Sequence, residues 1–192
     1  MFFGIDYSMT SPAVCAMDTD GNLKGMMCFA QRKRELKIRS DVLEVLEYPS
    51  GWENNIERFD MISDVVLDFI RKHSEGTDDM VFLEGYAYGA TGSRVFQVAE
   101  NCGILKLKIV KAGYPLYMIP PSQAKKHATG RGTANKIAMY DAFRKLYPEI
   151  DLLGMFKTGK GDNPVSDLSD SVHICRSGME LLKSGTLTDY VD

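Results

Sequence analysis

The sequence predicts a mixed α/β domain with helices on both faces of one sheet, and three observations lead there. The first thirty residues hold three short apolar runs, two of them joined by a tight-turn signal. From residue 55 onward, helix-spaced and strand-like segments alternate. The whole chain, at 192 residues, suits a single core.

"FFGIDYS" (2–8) is an apolar run broken by one acid, and "AVCAMDTDGNLKGMMCFA" (13–30) gives two more runs around Asp20-Gly21, a good hairpin turn. Three consecutive antiparallel strands are expected. "QRKRELKIRSDVLEVLEYPSGW" (31–52) begins strongly basic and ends at Pro49-Ser50-Gly51, and reads as an irregular extension or added hairpin. From 55 to 73, Ile56, Phe59, Ile62/Ser63, Val66 and Phe69/Ile70 recur at helical spacing. "DMVFLEGYAYG" is a short buried strand ending in Glu84. In "SRVFQVAENCGILKLKIV" (93–110), Val95, Val98, Ala99, Cys102 and Leu105 share a helical face.

"PLYMIPP" is a further strand, closed by two prolines. "TANKIAMYDAFRKLYP" reads as a helix capped by Thr133 and ended by Pro148. Asn163-Pro164 starts the last helix, with Asn at the cap and Pro at the first position. Its apolar stripe is Leu168, Val172, Cys175, Met179 and Leu182. The order β-β-β-α-β-α-β-α-α predicts a mixed five-stranded sheet, three antiparallel strands followed by parallel ones, in one domain over 1–192.

Composition narrows the function. The chain is 44% hydrophobic and 26% charged with a formal net charge of -3, so any nucleic-acid surface must be a local patch. No apolar run approaches membrane-spanning length, and "MFFGIDYSM" lacks the features of a signal peptide. Cys15, Cys28, Cys102 and Cys175 are scattered, with no zinc spacing, as expected of reduced, buried thiols in a cytoplasmic protein.

The acids carry the chemistry. Asp6 lies in the first strand and Glu84 at the end of the fourth, and right-handed connections bring those two strands side by side in mid-sheet. A charge in a buried strand is costly unless paired or bound to metal. Asp167 and Asp170 differ by about 60° around the last helix, so both flank its apolar stripe and can overhang the strand acids. Like charges one turn apart repel, which a divalent cation would relieve. Four acids without His or Cys suit Mg²⁺ or Mn²⁺. Taken singly, each has an ordinary explanation: Asp6 paired with a lysine at a strand end, Glu84 in a turn, Asp167 favoured by the helix dipole. The combination is harder to explain that way.

"KKHATGRGTANK" (125–136) has phosphate-binding character. Gly130 and Gly132 permit close backbone approach, and Lys125, Lys126, Arg131 and Lys136 supply charge on both sides; an ordinary surface loop is the plainer reading. Tyr86 and Tyr88 are placed to stack on unpaired bases, although packing on the sheet edge explains them better. His127 and His173 suit surface or packing roles better than proton transfer.

"GIDYS", "LEGYAYG" and "SDLSDSVHI", with the basic loop and "SRVFQVAENCG", resemble the motifs of RuvC-type Holliday junction resolvases in the RNase H-like superfamily. The resemblance covers most of the chain, is poorest at 31–52 and after about 184, and looks like that of bacteriophage-encoded versions, which would act in the host cytoplasm. It implies an RNase H-like fold with Asp6, Glu84, Asp167 and Asp170 as the metal-binding acids. It also implies hydrolysis of branched DNA with two ions, and Asp6 is our choice of the acid that bridges them. A four-way junction has near two-fold symmetry, so a homodimer is expected, using helix 55–73 or helix 93–110. The alternatives are an RNA-processing relative, an actin-like ATPase or sugar kinase, and a non-catalytic binder. The kinase fold needs a second G-x-D strand, which is missing, and all four acids argue against a non-catalytic role.

Overall fold

The computed structural model describes residues 1–76, 78–86 and 94–187. Strands β1 (Phe2–Asp6), β2 (Ala13–Met17) and β3 (Leu23–Phe29) form the antiparallel meander, and β4 (Leu43–Leu46), β5 (Met80–Glu84) and β6 (Leu116–Ile119) complete the sheet. The helices are α1 (Asn55–His73), α2 (Arg94–Lys111), α3 (Pro121–Thr129), α4 (Lys136–Leu146), α5 (Leu152–Phe156) and α6 (Val165–Lys183). Strand order is β4-β3-β2-β1-β5-β6, so β1 and β5 are central neighbours, paired in parallel.

The sheet has six strands, not five. The sixth, β4, falls in the segment expected to be an irregular extension or an added hairpin. It pairs in parallel with β3 after residues 30–42, which contain a 3₁₀ turn (Lys33–Lys37). A parallel return needs a crossover of about a dozen residues, which this segment supplies. Its four residues, LEVL, carry too little alternation to stand out.

Side chains alternate across the sheet as strand geometry requires. Phe3, Ile5, Val14, Met27, Val81 and Leu83 pack with Ile62, Val66 and Ile70 of α1 and Cys102, Leu105 and Ile109 of α2. Cys15, Cys28 and Phe82 pack on the other face with Leu168, Val172 and Cys175 of α6 and Tyr140 and Phe143 of α4. Helix α6 is buried nearly all round, because Ser166, Ser169, Ser171, Ser177 and Gly178 let neighbours approach closely where the apolar stripe ends. No helix among the described residues is long and apolar enough to cross a membrane.

Three helix boundaries differ from expectation. Helix α4 is capped by Asn135, whose side chain accepts from the Ala138 amide, rather than by Thr133. In α6, Pro164 is the cap itself, so the helix begins one residue later than predicted. The basic stretch is only partly a loop, since Lys125 and Lys126 belong to α3, which Gly130 ends in a left-handed conformation (φ 78°).

Candidate active site

Register sets the first two acids. Ile5 of β1 pairs with Leu83 of β5, so Asp6 and Glu84 are the next residues on neighbouring parallel strands. Asp6 shares a face with Gly4, and Glu84 with Phe82. A Cβ on Gly4 would meet the Ser171 carbonyl and stand 2.6 Å from Cys175 Cβ, and one on Gly178 would run into the Phe82 ring. Both strand acids therefore lie on the face covered by α6. Going from Gly4 to Asp6 advances about 6.6 Å along the strand, and going back from Cys175 to Asp170 covers about 7.5 Å along the helix. The helix aspartates thus come level with the strand acids.

The electrostatics reflect the same gathering. Burial pushes the Asp6 carboxyl well above the usual range, and the charges of Glu84, Asp167 and Asp170 add to it. Asp170 is raised to about 7, first by burial and then by Glu84 and Asp167. Burial also raises Glu84 and Asp167. Four acids at one strand end oppose their own ionisation.

Two lysines counter this. Lys136, at the start of α4, places Nζ 3.0 Å from Ser166 Oγ, 3.4 Å from Asn163 Oδ1 and 3.8 Å from Asp167 Oδ1. The Ser166 hydroxyl lies between Asn163 Oδ1 (2.9 Å) and Asp167 Oδ1 (3.1 Å). Lys125 of α3 lies near enough to Glu84 to favour its ionised form. Both ends of the predicted basic stretch therefore face the acids. Its middle does not: Lys126 lines a separate groove with Gln123, Ser177 and Glu180, and Arg131 lies exposed in the turn between α3 and α4.

Tyr86 is 47% exposed, with its hydroxyl 3.2 Å from Lys106 Nζ and its ring under that ammonium at 4.5 Å. Tyr88 lies outside the described residues. His173 is fully buried, with Nε2 3.0 Å from the Met139 carbonyl, which is a packing role. His127 sits in a groove beside Arg176. Sequence reasoning missed Ser11 and Ser166. Ser11 is fully buried near Asp167, and its hydroxyl, like Asp167 Oδ2, makes no hydrogen bond among the described residues. Ser166 adjoins an acid in sequence, which was an available signal; nothing local marks Ser11.

Asp167 is 5% exposed, yet its Oδ2 has no hydrogen-bond partner among the described residues, and neither has the buried Oδ1 of Asp170. An orphaned buried carboxylate oxygen is costly and rare. Among the described residues no three Asp, Glu, His or Cys side chains are drawn to ligand spacing. The all-oxygen donor set and the two orphaned oxygens nonetheless fit a hard divalent cation held between strands and helix.

No protein-family model matches the sequence, and no curated protein matches it. Among solved structures, Thermus thermophilus RuvC matches with a TM-score of 0.62 at 22% identity over 98% of each chain. The same protein in complex with Holliday junction substrate matches with a TM-score of 0.63 at 20% identity, again over 98% of each chain. This chain therefore shares its overall fold with Thermus thermophilus RuvC.

Proposed function

We propose that the protein is a metal-dependent, structure-selective endonuclease that cleaves four-way and related branched DNA. The observation that carries this reading is the meeting of Asp6, Glu84, Asp167 and Asp170 at one end of the central strands, with two carboxylate oxygens left without partners among the described residues. A fold shared with a protein solved on a Holliday junction supports the choice of substrate.

Asp6, Glu84, Asp167 and Asp170 would hold Mg²⁺ or Mn²⁺, two ions in the full site, which supply an activated water and stabilise the leaving oxygen. The chain's own part is positional. The strand ends fix Asp6 and Glu84, while α6 brings two further acids down onto them. Lys136 and Lys125 offset the crowding and give the phosphate a cationic approach.

We place a two-fold dimer on α2. Phe96 (74% exposed), Leu107 (55%) and Val110 (45%) fall on one outward stripe of that helix, with Gly103 between them. Helix α1 turns out only Ile56 among its large apolar residues.

Incubation with Mg²⁺ or Mn²⁺ and labelled four-way junction, flap, duplex and RNA–DNA hybrid tests the reading. Symmetric nicks on the junction are expected. Preference for the hybrid would reassign the substrate to RNA, and no cleavage of any of the four would overturn the nuclease.

A further inference from the structure

The segment that fits the family pattern worst is built at the edge of the sheet where the acids lie. Asp6 pairs across β1–β2 with Ala13, and Ala13 pairs across β2–β3 with Cys28. Cys28 therefore stands level with Asp6, two strand spacings or about 10 Å away. β3 runs parallel to β1, so the chain leaving β3 emerges from the same edge as Asp6 and Glu84.

What emerges there is a concentrated positive charge. Residues 31–39 read QRKRELKIR, with five cations against one acid in a chain of net charge -3. The acid faces inward. Glu35 is 1% exposed and accepts from the backbone amides of Gln31 (2.7 Å) and Arg32 (3.2 Å) and from Arg32 Nε (2.8 Å). It anchors the 3₁₀ turn and uses up one cation, Arg32, whose Nη2 also reaches the Phe156 carbonyl at 3.5 Å. The Gln31 side-chain amide bonds the Thr10 carbonyl at 3.4 Å, tying the turn to the loop that follows Asp6.

Lys33, Arg34, Lys37 and Arg39 are left exposed, and none of them pairs with an acid among the described residues. The Arg39 guanidinium folds back onto the Leu36 and Ile38 carbonyls, which holds its charge close to the turn. A solvated charge run needs no buried carboxylate to hold its shape, and unpaired cations held together on a fixed turn repel one another unless an anion joins them.

We propose that this turn is a second DNA-contact surface, binding the phosphates of a duplex arm as it leaves the acid site. The proposal rests on the branched-DNA reading and adds to it where an arm runs: outward from the acids, past β3, toward the β4 edge.

The test compares wild type with a Lys33→Gln, Arg34→Gln, Lys37→Gln, Arg39→Gln variant that keeps Arg32 and Glu35. A Lys33→Arg, Lys37→Arg variant serves as the charge-preserving control. Binding to a four-way junction is measured across a salt series, with long arms and with arms trimmed to half a helical turn, and single-turnover cleavage is followed at saturating protein. Each neutralised phosphate contributes about 0.9 to the salt slope on duplex DNA. The Gln variant is expected to bind the long-armed junction roughly tenfold or more weakly, with a slope lower by about 2–4. The trimmed junction and the saturated cleavage rate should be unaffected, and the Arg control should match wild type. An unchanged slope on long arms, or an equal loss on trimmed arms, overturns the arm-binding role while leaving the nuclease intact. A wild-type protein that binds no branched DNA overturns both, so the two failures are distinguishable. All four substituted residues are exposed, and an unchanged melting temperature shows that the variant is folded.

Discussion

A Cβ on Gly4 of β1 would stand 2.6 Å from the Cβ of Cys175 on α6, closer than packed carbon atoms come. That approach seats α6 against the central strands and brings Asp170 level with Asp6. Gly4→Ala is therefore expected to push the helix outward and to cost about 1–3 kcal/mol, as overpacking does. Loss of cleavage should accompany the fall in melting temperature, because the helix acids retreat from the strand acids. A Gly4→Ala protein with unchanged stability and rate would mean that the spacing does not govern the site.

Removing a strand acid separates chemistry from binding. Asp6→Asn or Glu84→Gln should abolish cleavage while leaving branched-DNA affinity largely intact, since the cationic Lys125 and Lys136 remain beside the acids. Cleavage and gel-shift assays on the same preparation check this. Normal turnover by folded Asp6→Asn would remove Asp6 from the site.

The acid site should make stability depend jointly on pH and metal. Asp170 is raised to about 7 in the folded chain, chiefly by burial, against roughly 3.9 when unfolded. A raised carboxyl contributes stability in full below the unfolded value and loses it as pH rises through the folded one. Without metal, the site's contribution should therefore fall between about pH 4 and pH 7. A divalent cation competes with those protons, so Mg²⁺ should raise the melting temperature more at about pH 8 than at about pH 5.5, relative to EDTA. Asp170→Asn should raise the melting temperature in EDTA at the higher pH while abolishing cleavage. Equal Mg²⁺ shifts at the two pH values would argue against a cation among these acids.

The two lysines divide in their effects. Neutralising Lys125 and Lys136 together should weaken DNA binding and lower the salt slope by about 0.9 for each phosphate no longer neutralised. Lys136 alone should also slow cleavage at saturation, because its ammonium lies 3.8 Å from Asp167 and bonds the Ser166 hydroxyl. A Lys136→Gln protein altered only in affinity would confine that residue to binding.

What the sequence showed and hid follows from the range of the forces involved. Helix α1 was legible from residue 55 to residue 73 because its buried face repeats without interruption. The adjacency of Asp6 and Glu84 was legible because right-handed crossovers leave few topologies. Helix α3 was not, although Pro121 at its first turn and Gly130 at its end mark it; the intervening lysines suggested a loop. The edge strand β4 owes its form to β3 rather than to its own four residues. Ser11 lies far from Asp167 in sequence, and only the fold brings them together.

The final prediction concerns assembly. Resolving a junction without gaps requires two symmetric nicks, which a two-fold dimer with one site per subunit delivers. The outward stripe of α2 is suited to self-pairing: Phe96 and Leu107 lie on one side of the helix, and Gly103 between them has nothing among the described residues within 4 Å of an added Cβ, so a second helix can approach closely. Leaving such a stripe in water is costly, whereas burying it against its own copy needs no other partner. Phe96→Glu with Leu107→Glu should convert a dimer to a folded monomer in sedimentation at micromolar concentration. On a supercoiled cruciform the monomer should give single, uncoupled nicks where wild type linearises the plasmid. A wild type that sediments as a monomer even on junction DNA, or a double variant that still dimerises, would take the interface away from α2.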